Sequence, residues 1–415
     1  ARVGVLAAAL VAAGWLAQAI VSPAVGERLA ATATTPAEHE RALAWDPADP
    51  DMMRRAAAAY LDQRAGPDVE RARWHLEAAL RRRPGQGLLW LELALLADRA
   101  GEPARARALL ASALRLDPHG VVLRWEAALL ALRWDDRAAA LDHLRYVLAV
   151  EPGQAEAAFQ LARRVVDPGQ RTEAVLPENP LVLSGLLAAA VERRDLGTAD
   201  LVWTRRAVLA TPIDGPLQRR YLDLLLAEGR GLRARVVWRA VMPAGLPRDA
   251  GNAVWNGGFE AERLVGWGLD WQVERSWGLD VDLDRFTAAE GRQSLRLSFN
   301  SFPTLDFEGV SQLVPVEPGR DYVLRARLRT HDFNTASGLK LQVTRPEEKG
   351  LVLAETATVA GTTPAWVPLE ARVRTPGDAS LVRILLRREK ASAPEANIHG
   401  KVWVDDVSLV PAGSS

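Results

Sequence analysis

The acids and histidines of this sequence are where chemistry would first be sought. Asp280, Asp282 and Asp284 alternate, so they could share one face of a strand. A carboxylate pair that cleaves a glycosidic bond needs a defined separation across a cleft, which alternation along a strand does not supply. Alternating acids more commonly form a solvated face or protect a sheet edge. The six histidines, His39, His75, His119, His143, His331 and His399, show no metal-ligand spacing. There is no Gly-rich phosphate loop of the Walker type and no nucleophile elbow. Cysteine is absent, which excludes disulfides, thiolate catalysis and cysteine-ligated metal. These residues point to a protein that is not an enzyme.

The elements that carry them fill a chain of 415 residues, enough for two or three domains. Lysine plus arginine equals aspartate plus glutamate at 52 each, so there is no basic surplus for nucleic acid. The run Arg81-Arg82-Arg83 suits a helix C-terminus, where cations meet the negative end of the dipole. Tryptophan, at 14 residues, outnumbers phenylalanine and tyrosine together, so it supplies most of the large anchors.

Residues 3–21 are apolar except for Gln18. As a helix such a run is about 28 Å long, close to the hydrocarbon thickness of a bilayer. Arg2 precedes it and no positive cluster follows. The expectation is a transmembrane anchor over residues 1–24, ended by Ser22-Pro23. It would make a single pass of the inner (cytoplasmic) membrane, with the body in the periplasm. Gly4, Ala8 and Ala12 share one helical face and would let another membrane helix approach. A cleaved signal peptide is the alternative, with Ala17-Gln18-Ala19 as its cleavage site.

Pro50, Pro84, Pro118 and Pro152 recur at a constant spacing of about 34 residues, the tetratricopeptide period. In that register residues 87–120 place Trp90, Leu93, Ala94, Ala106, Leu110, Ala113 and Pro118 at the helix-packing positions. Ala72, Leu76 and Ala79 repeat the pattern before it; Ala128, Ala140 and Leu144 repeat it after. The segment resembles a tetratricopeptide-like repeat protein. The register breaks after Ala155 and restarts at Leu181, with Ala188 and Ala207 in place. About five full helix pairs and one degenerate pair are expected over residues 36–246, an all-α solenoid whose extended surface binds proteins.

Composition changes at Met242-Pro243-Ala244-Gly245-Leu246-Pro247, after which apolar and polar residues alternate with period two. Examples are Ser294-Leu295-Arg296-Leu297-Ser298-Phe299 and Lys401-Val402-Trp403-Val404. An all-β sandwich of eight to ten strands follows. Asn256-Gly257-Gly258-Phe259-Glu260, Gly266-Trp267, Gly291-Arg292-Gln293-Ser294-Leu295-Arg296-Leu297 and Val404-Asp405-Asp406-Val407-Ser408-Leu409 are similar to the motifs of family 4/9-type carbohydrate-binding modules. That resemblance covers residues 252–411 and implies a galactose-binding-like jelly roll. It also implies a structural calcium, with Glu260 and Asp406 as side-chain ligands and Asp405 as a weaker candidate. Sugar binding in such a fold needs exposed rings, and Trp271, Trp277, Phe302 and Phe307 are the candidates. Trp267, Trp366 and Trp403 lie within fold motifs and should be core.

Two functions fit this organisation. The first is a non-catalytic, membrane-anchored periplasmic scaffold, an accessory subunit bracing a larger integral-membrane assembly such as a photosynthetic reaction-centre–antenna complex. The second is a glycan-binding envelope protein of polysaccharide export or cell-wall attachment. Partners are then other protein subunits, the membrane, and in the second case a glycan.

Overall fold

A computed structural model describes residues 2–63, 66–166, 175–209, 211–242, 251–303, 306–348, 350–391 and 397–413. The chain is multidomain, with helices in its N-terminal part and a β-sandwich after them. It divides into two compact units, Ala1–Ala189 with Asp200–Thr211, and Ala190–Ala199 with Pro212–Ser415.

The first helix, α1 (Arg2–Thr32), corrects the expected anchor. It does not stop at Ser22-Pro23 but carries Pro23 inside it. Among the described residues no helix is long and apolar enough to cross a membrane. The single-pass placement in the inner membrane, with a periplasmic body, therefore falls. The physical reason lies in the second half of α1, which is charged at Glu27 and Arg28 and docks on its neighbours. Ala30 is buried there, and a Cβ on Gly26 would lie 3.1 Å from Met52 Cε. The packing face assigned to Gly4, Ala8 and Ala12 lies outside the described side chains.

Next come α2 (Pro36–Leu43) and α3 (Pro50–Leu61). Thr35 and Glu38 form a reciprocal capping box on α2, and backbone N–H groups of Thr34 and Thr35 hold the Glu38 carboxyl down to about 2. Asp49 caps α3, and Pro50 takes its first position, where a missing N–H costs nothing. The other periodic prolines work at helix ends. Pro84, Pro118 and Pro152 lie just beyond α4 (Val69–Arg82), α6 (Pro103–Leu116) and α8 (Arg137–Val150). Proline cannot continue a helix, so each one ends its pair.

Helices α3 and α4 pack together, as do α5 (Gly87–Arg99) with α6, and α7 (Val121–Arg133) with α8. Ala72, Ala79, Ala106, Ala113 and Ala140 are wholly buried, and Leu76, Leu110 and Leu144 fill the space beside them. Small residues let the backbones cross closely, and leucine fills the groove. Single helix α9 (Ala155–Val165) packs on α8, and α10 (Pro180–Glu192) and α11 (Leu196–Ala207) follow in the chain.

The second unit holds two five-stranded antiparallel sheets. One has the order β1 (Gln272–Val273), β4 (Phe307–Pro315), β9 (Leu381–Arg388), β6 (Lys340–Thr344), β7 (Val352–Glu355). The other runs β2 (Leu279–Asp284), β3 (Ser294–Phe302), β10 (Ile398–Pro411), β5 (Asp321–His331), β8 (Val367–Arg374). Inward residues of both sheets, such as Leu297, Phe299, Leu328, Ile384 and Val404, form one core. The opening motif has a packing reason. A Cβ on Gly257 would lie 1.9 Å from the Val407 carbonyl, so only glycine lets the first loop reach β10.

Two helices share this unit with the sandwich, α12 (Gly215–Ala227) and α13 (Gly231–Val241). Trp238 of α13 is 1% exposed and meets Trp255 and Trp267 edge-on, with ring centroids 5.7 and 5.1 Å away. Gly268 has φ +63, and a Cβ there would lie 2.5 Å from the Trp238 ring. The Gly231 N–H donates to Ser380 Oγ at 3.0 Å, and that hydroxyl donates to the Gly229 carbonyl at 2.7 Å. Trp267, read from its motif as core, belongs to this junction, half-covered beneath the Arg219 guanidinium.

Trp238→Ala is expected to destabilise the second unit by about 3–5 kcal/mol, the usual cost of emptying a buried tryptophan site. Gly268→Val should also destabilise it, by driving a side chain into the same ring. Urea unfolding followed by sandwich fluorescence measures both; a loss below about 1 kcal/mol for Trp238→Ala would contradict the junction.

Candidate functional site

The acids assigned to calcium do gather. Glu260, Glu290, Asp405 and Asp406 line one pocket of ≈ 190 Å³. Both oxygens of Glu260 and of Asp405 are engaged, and Glu290 Oε1 and Asp406 Oδ2 meet Arg327. Glu260 Oε1 accepts from the backbone N–H groups of Arg292 and Gln293 at 2.7 and 3.2 Å, and the Arg292 guanidinium lies 3.4 Å from Oε2. Asp405 is fully buried and accepts from the N–H groups of Ala289, Glu290 and Asp406. Burial pushes its carboxyl up, and the N–H bonds only partly offset this. Asp406, at φ +52 in a register shift of β10, pairs with Arg327 Nε at 3.3 Å. Among the described residues no group of three or more acids or histidines is placed to hold a metal ion. As arranged, the donor set fits a loop clamped by N–H groups and guanidinium better than an oxygen cage for calcium.

Of the four rings assigned to sugar, three are corrected to core. Trp271 is 1% exposed, packs tilted against Phe259 and donates from Nε1 to the Asn256 carbonyl. Phe302 and Phe307 close on Phe299 in edge-to-face contacts. None of the three offers a free face. Trp277 is 74% exposed on a tight turn in which Leu279 N–H donates to the Ser276 carbonyl. Gly278 makes the turn possible, with φ +75 and a carbonyl that accepts from Asn300 N–H at 2.8 Å. Phe286, at 98% exposure beyond the other end of β2, went unread in the sequence. Of the alternating acids, Asp280 and Asp282 are exposed, while Asp284 is buried against Trp403 Nε1 at 2.7 Å and Arg296 at 3.3 Å. Burial raises the Asp284 carboxyl, but those bonds outweigh it and leave it lowered.

The histidines form no shared cluster among the described residues, and each of several meets its own partner, as His119 meets Tyr146 OH at 3.1 Å and His143 meets Arg124 at 3.2 Å. His75 Nε2 lies 2.8 Å from Glu40 Oε1, which also accepts from Tyr60 OH at 3.0 Å. This network ties α2, α3 and α4 together.

A groove in the helical unit was missed altogether. It measures ≈ 380 Å³ and lies between α3 and α5, with Leu76 of α4 behind. Arg54, Ala57, Ala58 and Leu61 line it from α3; Glu92, Leu95, Leu96 and Arg99 line it from α5. Each set has the i, i+3, i+4, i+7 spacing of one helical face. Arg54 Nη1 pairs with Glu92 Oε1 at 3.0 Å. Burial raises the Glu92 carboxyl, and Arg54 only partly restores it. Arg55 also lines the groove, and neither it nor Arg99 has an acidic partner among the described residues. The signal in the sequence was the run Ala56-Ala57-Ala58-Ala59, whose small side chains leave a trough where leucines would fill it.

No protein-family model and no curated protein matches the chain. Among solved structures it is similar to a CBM4 module at 15% identity and TM-score 0.29, over 38% of this chain and 99% of that one. It is similar to the CBM22-1 xylan-binding domain of Paenibacillus barcinonensis Xyn10C at 17% and 0.28, over 41% and 100%. It is also similar to PilW, a widely conserved type IV pilus biogenesis factor, at 19% and 0.25, over 45% and 90%. These likenesses reach the general fold, a tetratricopeptide-like helical region and a carbohydrate-binding-module-like jelly roll, and no further.

The Glu92 site makes a pH prediction. Its folded-state carboxyl titrates above the ordinary value of 4.5, so folding favours the protonated form. That contribution is complete below 4.5 and is lost as pH rises through the raised value. Glu92→Gln carries no such charge, so the variant should gain on the wild-type chain as pH rises from acid to neutral. Urea midpoints at several pH values test this; a gap moving the other way contradicts it.

Proposed function

We propose that the protein is a non-catalytic scaffold, a subunit that seats a segment of a partner protein in the groove between α3 and α5. One observation carries the reading: a groove of ≈ 380 Å³ between α3 and α5, open to solvent and lined by Ala58, Leu61 and Leu95 among its apolar residues. Such arrays present extended surfaces, and a groove of this kind accepts a side chain or a short segment. The jelly roll is then a second module carried on the same subunit.

A glycan-binding reading of the sandwich keeps two supporting observations, the exposed Trp277 ring on its turn and a cleft of ≈ 890 Å³ beside it, lined by Gln272, Glu274, Ser276, Asp280 and Asp282. A single ring is a small platform, so the protein-binding reading is preferred.

Gentle purification of the full chain from its source cells should bring a stoichiometric partner that mass spectrometry identifies. Filling the trough with Ala58→Trp should release that partner while leaving the helical circular dichroism unchanged. A chain that purifies alone, or a partner that Ala58→Trp retains, would overturn the reading. Retention on immobilised polysaccharide that Trp277→Ala removes would favour the glycan alternative.

A further inference from the structure

The groove between α3 and α5 also carries information about what it accepts. Its floor is apolar: Ala58 and Leu95 face the groove, over Ala57 and Leu96, which are buried beneath them. Its two ends differ. At one end Arg54 and Glu92 neutralise each other at 3.0 Å, and Arg54 Nε remains buried without a hydrogen-bond acceptor. At the other end stands Arg99, seven residues further along α5, which is about 10 Å along the helix axis. Arg55 adds a second cation beside the first end. The only acid lining the groove among the described residues is Glu92, and it is spent on Arg54. The groove therefore presents apolar surface together with two cations and one buried donor that the chain itself leaves uncompensated.

Resting on the scaffold reading above, we infer that the occupant is an acidic segment of a partner protein. Its bulky apolar side chain lies on the floor at Ala58 and Leu95, and its carboxylates meet Arg99 and Arg55. A basic segment is disfavoured because it would meet two unpaired guanidinium groups. Guanidinium groups suit the task because their fixed fork takes carboxylate oxygens in pairs.

The test uses the full chain and two fluorescein-labelled twelve-residue peptides. Both carry a central Phe-Leu pair; one is flanked by Asp and Glu, the other by Lys in the same places. Fluorescence anisotropy should show the acidic peptide binding and the lysine peptide failing to bind. Arg55→Glu with Arg99→Glu should weaken the acidic peptide at least about tenfold, and added salt should weaken it further. Ala58→Trp, which leaves both arginines in place, should block it by filling the floor. Equal binding of the two peptides, no binding of the acidic one, or indifference to the double charge reversal would each overturn the inference. The two levels separate cleanly. A native partner lost on Ala58→Trp but kept by the charge-reversed chain would preserve the scaffold reading and remove the acidic occupant.

Discussion

Close approach of helix backbones at alanine is the constraint on which the helical unit depends. In the pairs formed by α3 to α8, alanines on the second helices are fully buried, at Ala72, Ala79, Ala106, Ala113 and Ala140. A larger residue there would push the helices apart and cost the leucine contacts on either side. The same small side chain has the opposite effect where no helix arrives to cover it. Ala58 is exposed and leaves a trough, and the groove of the first repeats is its direct result. One residue type thus makes both the tight joints and the open seat.

The sandwich obeys a comparable rule with backbone instead of side chain. Its first loop meets β10 because Gly257 lacks a Cβ, and the loop after β2 is held by N–H bonds to the buried Asp405 carboxylate. Burying an anion is costly, and three backbone donors around Asp405 offset that cost. Glu260 repeats the device further along the same loop, at Arg292 and Gln293. The conspicuous acids of this domain act as hydrogen-bond acceptors that shape loops.

What could be read from the sequence was whatever backbone geometry dictates. The proline period marks helix ends because proline cannot be helical beyond them, and the Asn256–Glu260 motif marks a loop that only glycine can complete. Ring exposure was less legible, because it depends on which way a turn faces. Trp271 and Trp277 stand close in the chain, yet one is core and the other is free in solvent. Phe286 escaped notice because nothing local distinguishes an exposed ring from a core one. The opening apolar run misled for a related reason: hydropathy measures the run itself, not the charged, docked half-turns that continue the same helix. The α3–α5 groove was hidden because its i, i+3, i+4, i+7 pattern reads as core in either helix alone.

The Trp238 junction bears on how this protein can be divided. Composition places a boundary after Met242, but Trp255, Trp267 and Gly268 are shaped around a ring that precedes it. A fragment beginning at Asn252 would carry the whole jelly roll and still lose the indole that covers those residues. Its newly bared aromatic surface would favour self-association over a well-behaved monomer. A piece that keeps that indole starts upstream of α13, so a cut at the visible compositional seam would separate rings that pack on one another.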